Sequence, residues 1–302
     1  MGKTNIEYCD EVSNPLQALD TETGKMGTFC EKPDPEGTCK NCWAETLNLK
    51  GTASNKRFGN GLIYDKSNRG RIEWQIHVRE LIRLGNLNRR KPMSAKFPGV
   101  PLVVFTNDTY DLFQPSISDQ IRDWIFDDYD KFTNLTLLIQ TTYVSRMSTY
   151  LSARYPNGMP KQYFVGMSAG TQKFLDDNIQ HLVRVRDVRR YIIFEPLLEQ
   201  IDVATWLWSM MDGGKCAISL CIAGGESGGG ARVCDIEWLR SIVKQCQAAG
   251  VSVLCKQLGA KPIDGSRMSF DHDKLPIKTK DRKGGNMAEF PQELQIREFP
   301  KV

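Results

Sequence analysis

The sequence predicts an α/β protein: a partial or complete parallel (β/α) barrel of about six to seven strands, with an irregular C-terminal extension. Three observations carry that expectation. Short apolar runs rich in β-branched and aromatic residues alternate with segments of helical spacing. The alternation recurs at roughly thirty-residue intervals, as βαβ units of a parallel sheet do. Nearly every apolar run also ends on a polar or glycine-rich group. A doubly wound sheet concentrates its chemistry at one switch point, whereas a barrel loads many strand ends at once.

The runs are "PLVVFT" (101–106), "LTLLIQTT" (135–142), "QYFVGMS" (162–168), "RYIIFEP" (190–196), "ISLCIAGGE" (218–226) and "VSVLCKQ" (251–257). Each is too short for an ordinary helix and apolar enough to be a strand buried on both faces. Between them, residues 118–132 put Ile121, Trp124, Ile125 and Tyr129 on one helical face. Residues 234–250 do the same with Ile236, Leu239, Ile242, Val243 and Cys246, opened by Asp235 as N-cap and closed by Gly250. The barrel is expected over residues 1–260. Residues 261–302 are polar and rich in turn formers, and read as an extension laid over it, with "KTKDRKGG" (278–285) exposed and mobile.

The 40 basic and 36 acidic residues leave a net charge of only +4, which permits a nucleic-acid partner without demanding one. No apolar run has the length of a membrane span and the N-terminus has no apolar signal core, so no membrane partner and a cytoplasmic location are expected. The nine cysteines are therefore read as reduced. Cys216, Cys221, Cys234, Cys246 and Cys255 lie in or near apolar stretches and read as small buried hydrophobes.

Cys30, Cys39 and Cys42 are different. Cys39 and Cys42 form a Cys-x-x-Cys pair followed by Trp43, and the segment back to Cys30 holds two prolines and a glycine. Three thiolates on one such loop can converge on a metal. Structural zinc needs a fourth ligand, for which Cys9 or His77 is available. A [4Fe–4S] cluster on three cysteines keeps one iron open, which suits direct binding of S-adenosylmethionine and its reductive cleavage. Metal-free thiols are the third reading.

Several strand ends are weighed the same way. Glu195 is placed to hold a ribose hydroxyl or the methionine amino group, or is a buried carboxylate paired with an arginine. Glu226 stands in the glycine-rich turn "GGESGGGAR", which either offers backbone N–H groups to an anion or is a tight turn into the next helix. Lys256, beside Gln257, faces a cofactor carboxylate or substrate phosphate, or is solvated. Asn107 and Asp108 are candidates to clamp the methionine amino group. Asp111 joins them or caps the following turn. Ser168 is a weaker candidate of the same kind. The candidate catalytic residues are thus Glu195, Glu226 and Lys256. The candidate cofactor-binding residues are Asn107, Asp108, Ser168, Glu195, Gly224 and Gly225. Basic stretches at 88–91, at 181–191 and in the C-terminal region would suit a DNA backbone, or are ordinary solvated faces.

The order of motifs resembles a phage-associated three-Cys-motif family with radical S-adenosylmethionine character. The matching segments are "IEYCDEVSNPLQALD" (6–20), "GTCKNCWAE" (37–45), "FTNDTYDLF" (105–113), "VGMSAG" (165–170), "FEPLLEQID" (194–202), "IAGGESGGGAR" (222–232), "CKQLGAK" (255–261) and "FPQELQIREFP" (290–300). Two departures are visible. Eight residues separate Cys30 from Cys39, longer than the common radical-enzyme spacing, and Tyr8-Cys9-Asp10 stands where the family usually has Trp-Thr-Asp. The resemblance implies a [4Fe–4S] cluster on Cys30, Cys39 and Cys42 with S-adenosylmethionine as cofactor and an external electron donor. It implies a phage setting, hence a host cytoplasm, and a modified thymine base of phage DNA or its nucleotide as substrate. Isomerisation is the expected reaction, with base flipping where the substrate is duplex DNA. The alternatives are a radical base lyase or repair enzyme, and a zinc-stabilised nucleic-acid-binding module without catalysis.

Overall fold

The computed structural model describes residues 4–24, 26–42, 44, 70–209, 211–212, 215–268 and 274–300. Trp43, Glu45 and His272 lie outside the described residues. The strands are β1 (Glu11–Ser13), β2 (Leu16–Asp20), β3 (Met26–Gly27), β4 (Ile72–Ile76), β5 (Val103–Thr106), β6 (Thr136–Thr141), β7 (Tyr163–Ser168), β8 (Arg189–Phe194), β9 (Met211–Asp212), β10 (Lys215–Cys216), β11 (Leu220–Gly224), β12 (Cys234–Asp235), β13 (Ser252–Gln257), β14 (Pro262–Met268) and β15 (Lys274–Pro276). The helices are α1 (Val78–Arg90), α2 (Asp119–Tyr129), α3 (Val144–Arg154), α4 (Gln172–Val183), α5 (Ala204–Ser209) and α6 (Ile236–Ala248).

Seven strands form one parallel sheet in the order β1-β5-β6-β7-β8-β11-β13. All six predicted runs are in it. β1 and β13 are its edges, so the sheet is the partial form of the expected barrel. The seventh strand, β1, was not legible as an apolar run. It has three residues, "EVS", of which Ser13 alone is fully buried, and it pairs with β5 from Glu11↔Val104 to Ser13↔Thr106. Three smaller sheets complete the strands: β3-β2-β4, β10-β9 and β12-β14-β15.

The chain packs as two compact units, one of Met1–Val165 with Val185–Val188, the other of Gly166–Arg184 with Arg189–Lys301. In the first unit, β5 and β6 are buried almost throughout, as strands covered on both faces are. An aromatic cluster centres on Phe126, whose ring lies 5.6–6.2 Å from those of Tyr129, Tyr150, Tyr155 and Tyr163. α2 buries Arg122, Ile125, Phe126 and Tyr129 and leaves Trp124 half exposed, at 50%. The expected face held Trp124 instead. Arg122 displaces it because its guanidinium finds partners inside: it lies 5.3 Å from the Tyr150 ring centroid and donates to Leu112 O.

In the second unit, α6 buries the five residues expected of it, Ile236, Leu239, Ile242, Val243 and Cys246, and packs on β11 and β13. Asp235 caps it by accepting from Glu237 N, and Gly250 follows its end at φ +65°. Each aliphatic side chain so buried contributes roughly 1.5–3 kcal/mol relative to an exposed one. Residues 261–301 belong to this unit. Their strands β14 and β15 form a hairpin against β12, and Cys255 N donates to Ile296 O. Among the described residues, no helix is long and apolar enough to cross a membrane.

Candidate functional site

In the first unit, the cysteine loop is held against the segment that follows β5, at Gln114 and Ser116. Its entry is pinned by side chains that sequence reasoning passed over. Gln114 receives Glu31 N at 2.9 Å and donates to Phe29 O at 3.0 Å. The Glu31 carboxylate receives Ser116 N at 2.8 Å. The loop itself is folded by Asp34, which accepts from Gly37 N, Thr38 N and Thr38 Oγ1, while its carbonyl accepts from Cys39 N at 2.9 Å. Gly37 is needed there, since a Cβ on it would stand 2.1 Å from Asp34 Oδ2.

The fold brings the three thiols into one another's electrostatic range. Burial pushes the Cys30 thiol well up, and the charges of Asp111, Cys39 and Cys42 push it further. Burial also raises Cys39 to about 11, with Cys42 and Asp34 adding to the rise. Tyr143, at the start of α3, is raised by burial and by the charges of Glu31, Cys30, Asp111 and Cys39. Among the described residues, however, no three or more His, Cys, Asp or Glu side chains are gathered as a metal centre, with or without Cys9 and His77. The donor set, three sulfurs on one loop with a strand-end carboxylate behind it, fits a soft metal or an iron–sulfur cluster.

The other first-unit candidates sit at the end of β5. Asn107 adopts left-handed backbone (φ +61°) and donates through Nδ2 to Thr106 Oγ1, while its Oδ1 is buried without a hydrogen-bond partner. A strained, unsatisfied buried acceptor at a strand end fits a ligand donor. Asp108 is raised by burial from 3.8 to about 6 and is held by Asn14 Nδ2. Asp111 is fully engaged: it accepts from Phe113 N, Thr141 Oγ1, Thr142 N and Thr142 Oγ1. Burial still holds its pKa above the ordinary value. It is the cap and strand-to-strand clamp, not a free clamp for an amino group.

In the second unit, Glu195, Lys256 and Gln257 meet. Lys256 Nζ donates to Glu195 Oε2 at 2.6 Å. Gln257 Nε2 donates to Glu195 Oε1 at 3.1 Å and to Gly225 O at 2.7 Å. The pair is largely withdrawn from solvent, with side chains 15–16% exposed. The alternative reading of Glu195, an arginine-paired carboxylate, describes Glu226 instead. Arg232 grips Glu226 by a fork, Nε to Oε2 at 3.0 Å and an Nη to Oε1 at 2.7 Å. The glycine turn offers fewer free donors than its composition suggests, because Gly225 N already donates to Gln257 O. Gly225 serves close approach: a Cβ on it would lie 2.3 Å from Leu258 O. Gly224 sits at a bulge opposite Gln257 and accepts from Leu197 N. Ser168 closes β7, buried.

The basic stretch 181–191 is not one solvated face. α4 ends at Val183, Arg184 and Arg186 are exposed, and Arg190 turns inward to Ala217 O and Val183 O.

No curated protein and no solved structure matches the chain. A family model described as "Protein of unknown function (DUF5131)" matches residues 3–289, and the chain belongs to that family.

Proposed function

We propose that the chain is a radical S-adenosylmethionine enzyme, with Cys30, Cys39 and Cys42 as ligands of a [4Fe–4S] cluster. One observation supports the reading: Gln114, Ser116 and Asp34 hold Cys30, Cys39 and Cys42 on one folded loop, against the segment that leaves the carboxyl end of β5. In parallel α/β sheets, chemistry is built at these carboxyl ends. Cys30, Cys39 and Cys42 would hold a cluster that, once reduced, would supply the electron for cleaving the S–C5′ bond of S-adenosylmethionine, with methionine leaving and a 5′-deoxyadenosyl radical left to take hydrogen from substrate.

The chain's own residues do the positioning. Gln114, Glu31 and Ser116 fix where Cys30 enters, and Asp34 sets the turn that presents Cys39 and Cys42. Asn107 Oδ1 is an acceptor for an ammonium or hydroxyl donor. Within the second unit, taken by itself, Lys256 and Glu195 hold one charge of each sign against each other. The substrate is a modified thymine base of phage DNA and the reaction an isomerisation, with an external electron donor, in the host cytoplasm.

The test is anaerobic purification with iron and sulfide analysis, followed by addition of S-adenosylmethionine and dithionite. Brown protein that releases 5′-deoxyadenosine, and a Cys42→Ala variant that does not, supports the reading. Colourless protein holding one zinc overturns it in favour of a nucleic-acid-binding module.

A further inference from the structure

Residues 278–283 carry four cations, Lys278, Lys280, Arg282 and Lys283, and all four are exposed. Composition alone makes this stretch a mobile tail, but its backbone is tied down. The Asp281 carboxylate accepts from Lys283 N at 3.1 Å and Gly285 N at 2.8 Å, and these amides hold its pKa below the ordinary value. The Glu289 carboxylate accepts from Lys280 N at 2.9 Å and from Asn286 Nδ2 at 3.3 Å. Both acids of the loop therefore turn onto its backbone amides. Among the described residues, none of the four cations stands within ion-pair distance of a carboxylate, though the charge of Lys283 acts on Asp281.

The loop is also fixed in place. Leu258 N donates to Gly284 O at 2.7 Å, and Arg297 donates to Gly285 O at 3.0 Å and to Lys256 O at 3.1 Å. Gly284, at φ +63°, lies so close that a Cβ on it would stand 2.6 Å from Gly259 O. The loop thus rides on the residues that follow β13. In this second unit, the end of β13 is where Lys256 and Gln257 meet Glu195.

We propose that Lys278, Lys280, Arg282 and Lys283 form a docking rail for the phosphodiester backbone of DNA at the edge that holds Glu195 and Lys256. Unpaired cations on a rigid loop suit such a backbone, because each neutralised phosphate releases a counterion. This rests on the proposed function and sharpens it: the substrate base is met in polymeric DNA, not as a free nucleotide.

The experiment compares the protein with a variant carrying Lys278→Ala, Lys280→Ala, Arg282→Ala and Lys283→Ala. Binding to a short duplex is followed over about 50 to 200 mM salt by anisotropy. The proposal expects wild-type affinity to fall steeply with salt. In the variant the logarithmic slope should shrink by about 3 to 4, with affinity at low salt down at least roughly tenfold. Equal slopes, or no binding by the wild type, overturn it. Thermal melting reads folding separately, and a variant with only Lys278→Ala and Lys280→Ala should show about half the slope change. Cys42→Ala is run in parallel. It should keep wild-type DNA binding, so failure of the cluster chemistry and failure of the rail give different results.

Discussion

Asp111 accepts a hydrogen bond from Thr141 Oγ1 at 2.7 Å, and through it the segment after β5 is fastened to the end of β6. The same carboxylate takes Thr142 N and Phe113 N, and its charge reaches Cys30. Asp111 therefore clamps the segment after β5 to β6, and Gln114, whose N–H donates to Asp111 O, carries the cysteine loop from there. Asp111→Ala leaves these buried donors without an acceptor and should lower stability by about 2–4 kcal/mol in urea unfolding. Asp111→Asn should cost less. A loss below about 0.5 kcal/mol for the alanine variant would contradict the clamp.

Gly37 and Asp34 form the turn that presents Cys39 and Cys42. A methyl group at Gly37 pushes the Asp34 carboxylate off the amides it caps. Gly37→Ala and Asp34→Ala should each cost about 1 kcal/mol, as loss of a cap does. The double variant should cost little more than either alone, because both remove the same bonds. Full additivity would show that the two residues act separately.

Asp108 gives a pH signature. Its folded pKa of about 6 lies above the ordinary 3.8, so the folded state holds the proton more tightly. Its contribution to stability is fully present below 3.8 and is lost as pH rises through about 6. Asp108→Asn lacks this loss. The variant should gain roughly 2–3 kcal/mol on the wild type as pH rises across that window, measured by denaturant unfolding. Parallel stability curves would contradict it.

Lys256 and Glu195 are withdrawn from water together. Removing one partner strands the other, so Lys256→Met and Glu195→Gln should each destabilise by about 1–3 kcal/mol. The double variant, with no charge left to strand, should be more stable than Lys256→Met. A double variant less stable than both singles would mean that the residues contribute independently.

Much of the fold was legible because strands buried on both faces are written as unbroken apolar runs, and α6 repeats its apolar face at helical spacing. β1 was not, because three residues hold too little pattern and its place is fixed by pairing with β5. The face of α2 was misread because Arg122 counts as polar in a pattern but packs on Tyr150. Of the site, the cysteines and strand-end residues were visible by residue type. Their partners were not: Gln114 and Asn14 reach the site from distant positions and are ordinary loop residues until the chain folds. Glu226 looked like Glu195 in sequence. Arg232, six residues on, decides the difference by closing a fork on it.

The most direct test of the central claim is the low-temperature electron paramagnetic resonance spectrum of anaerobically purified, dithionite-reduced protein, with and without S-adenosylmethionine. The account predicts a signal of a reduced four-iron cluster that shifts when S-adenosylmethionine is added and is lost in Cys30→Ala, Cys39→Ala and Cys42→Ala. A protein that carries no iron, or a cluster whose signal S-adenosylmethionine leaves unchanged, would contradict it.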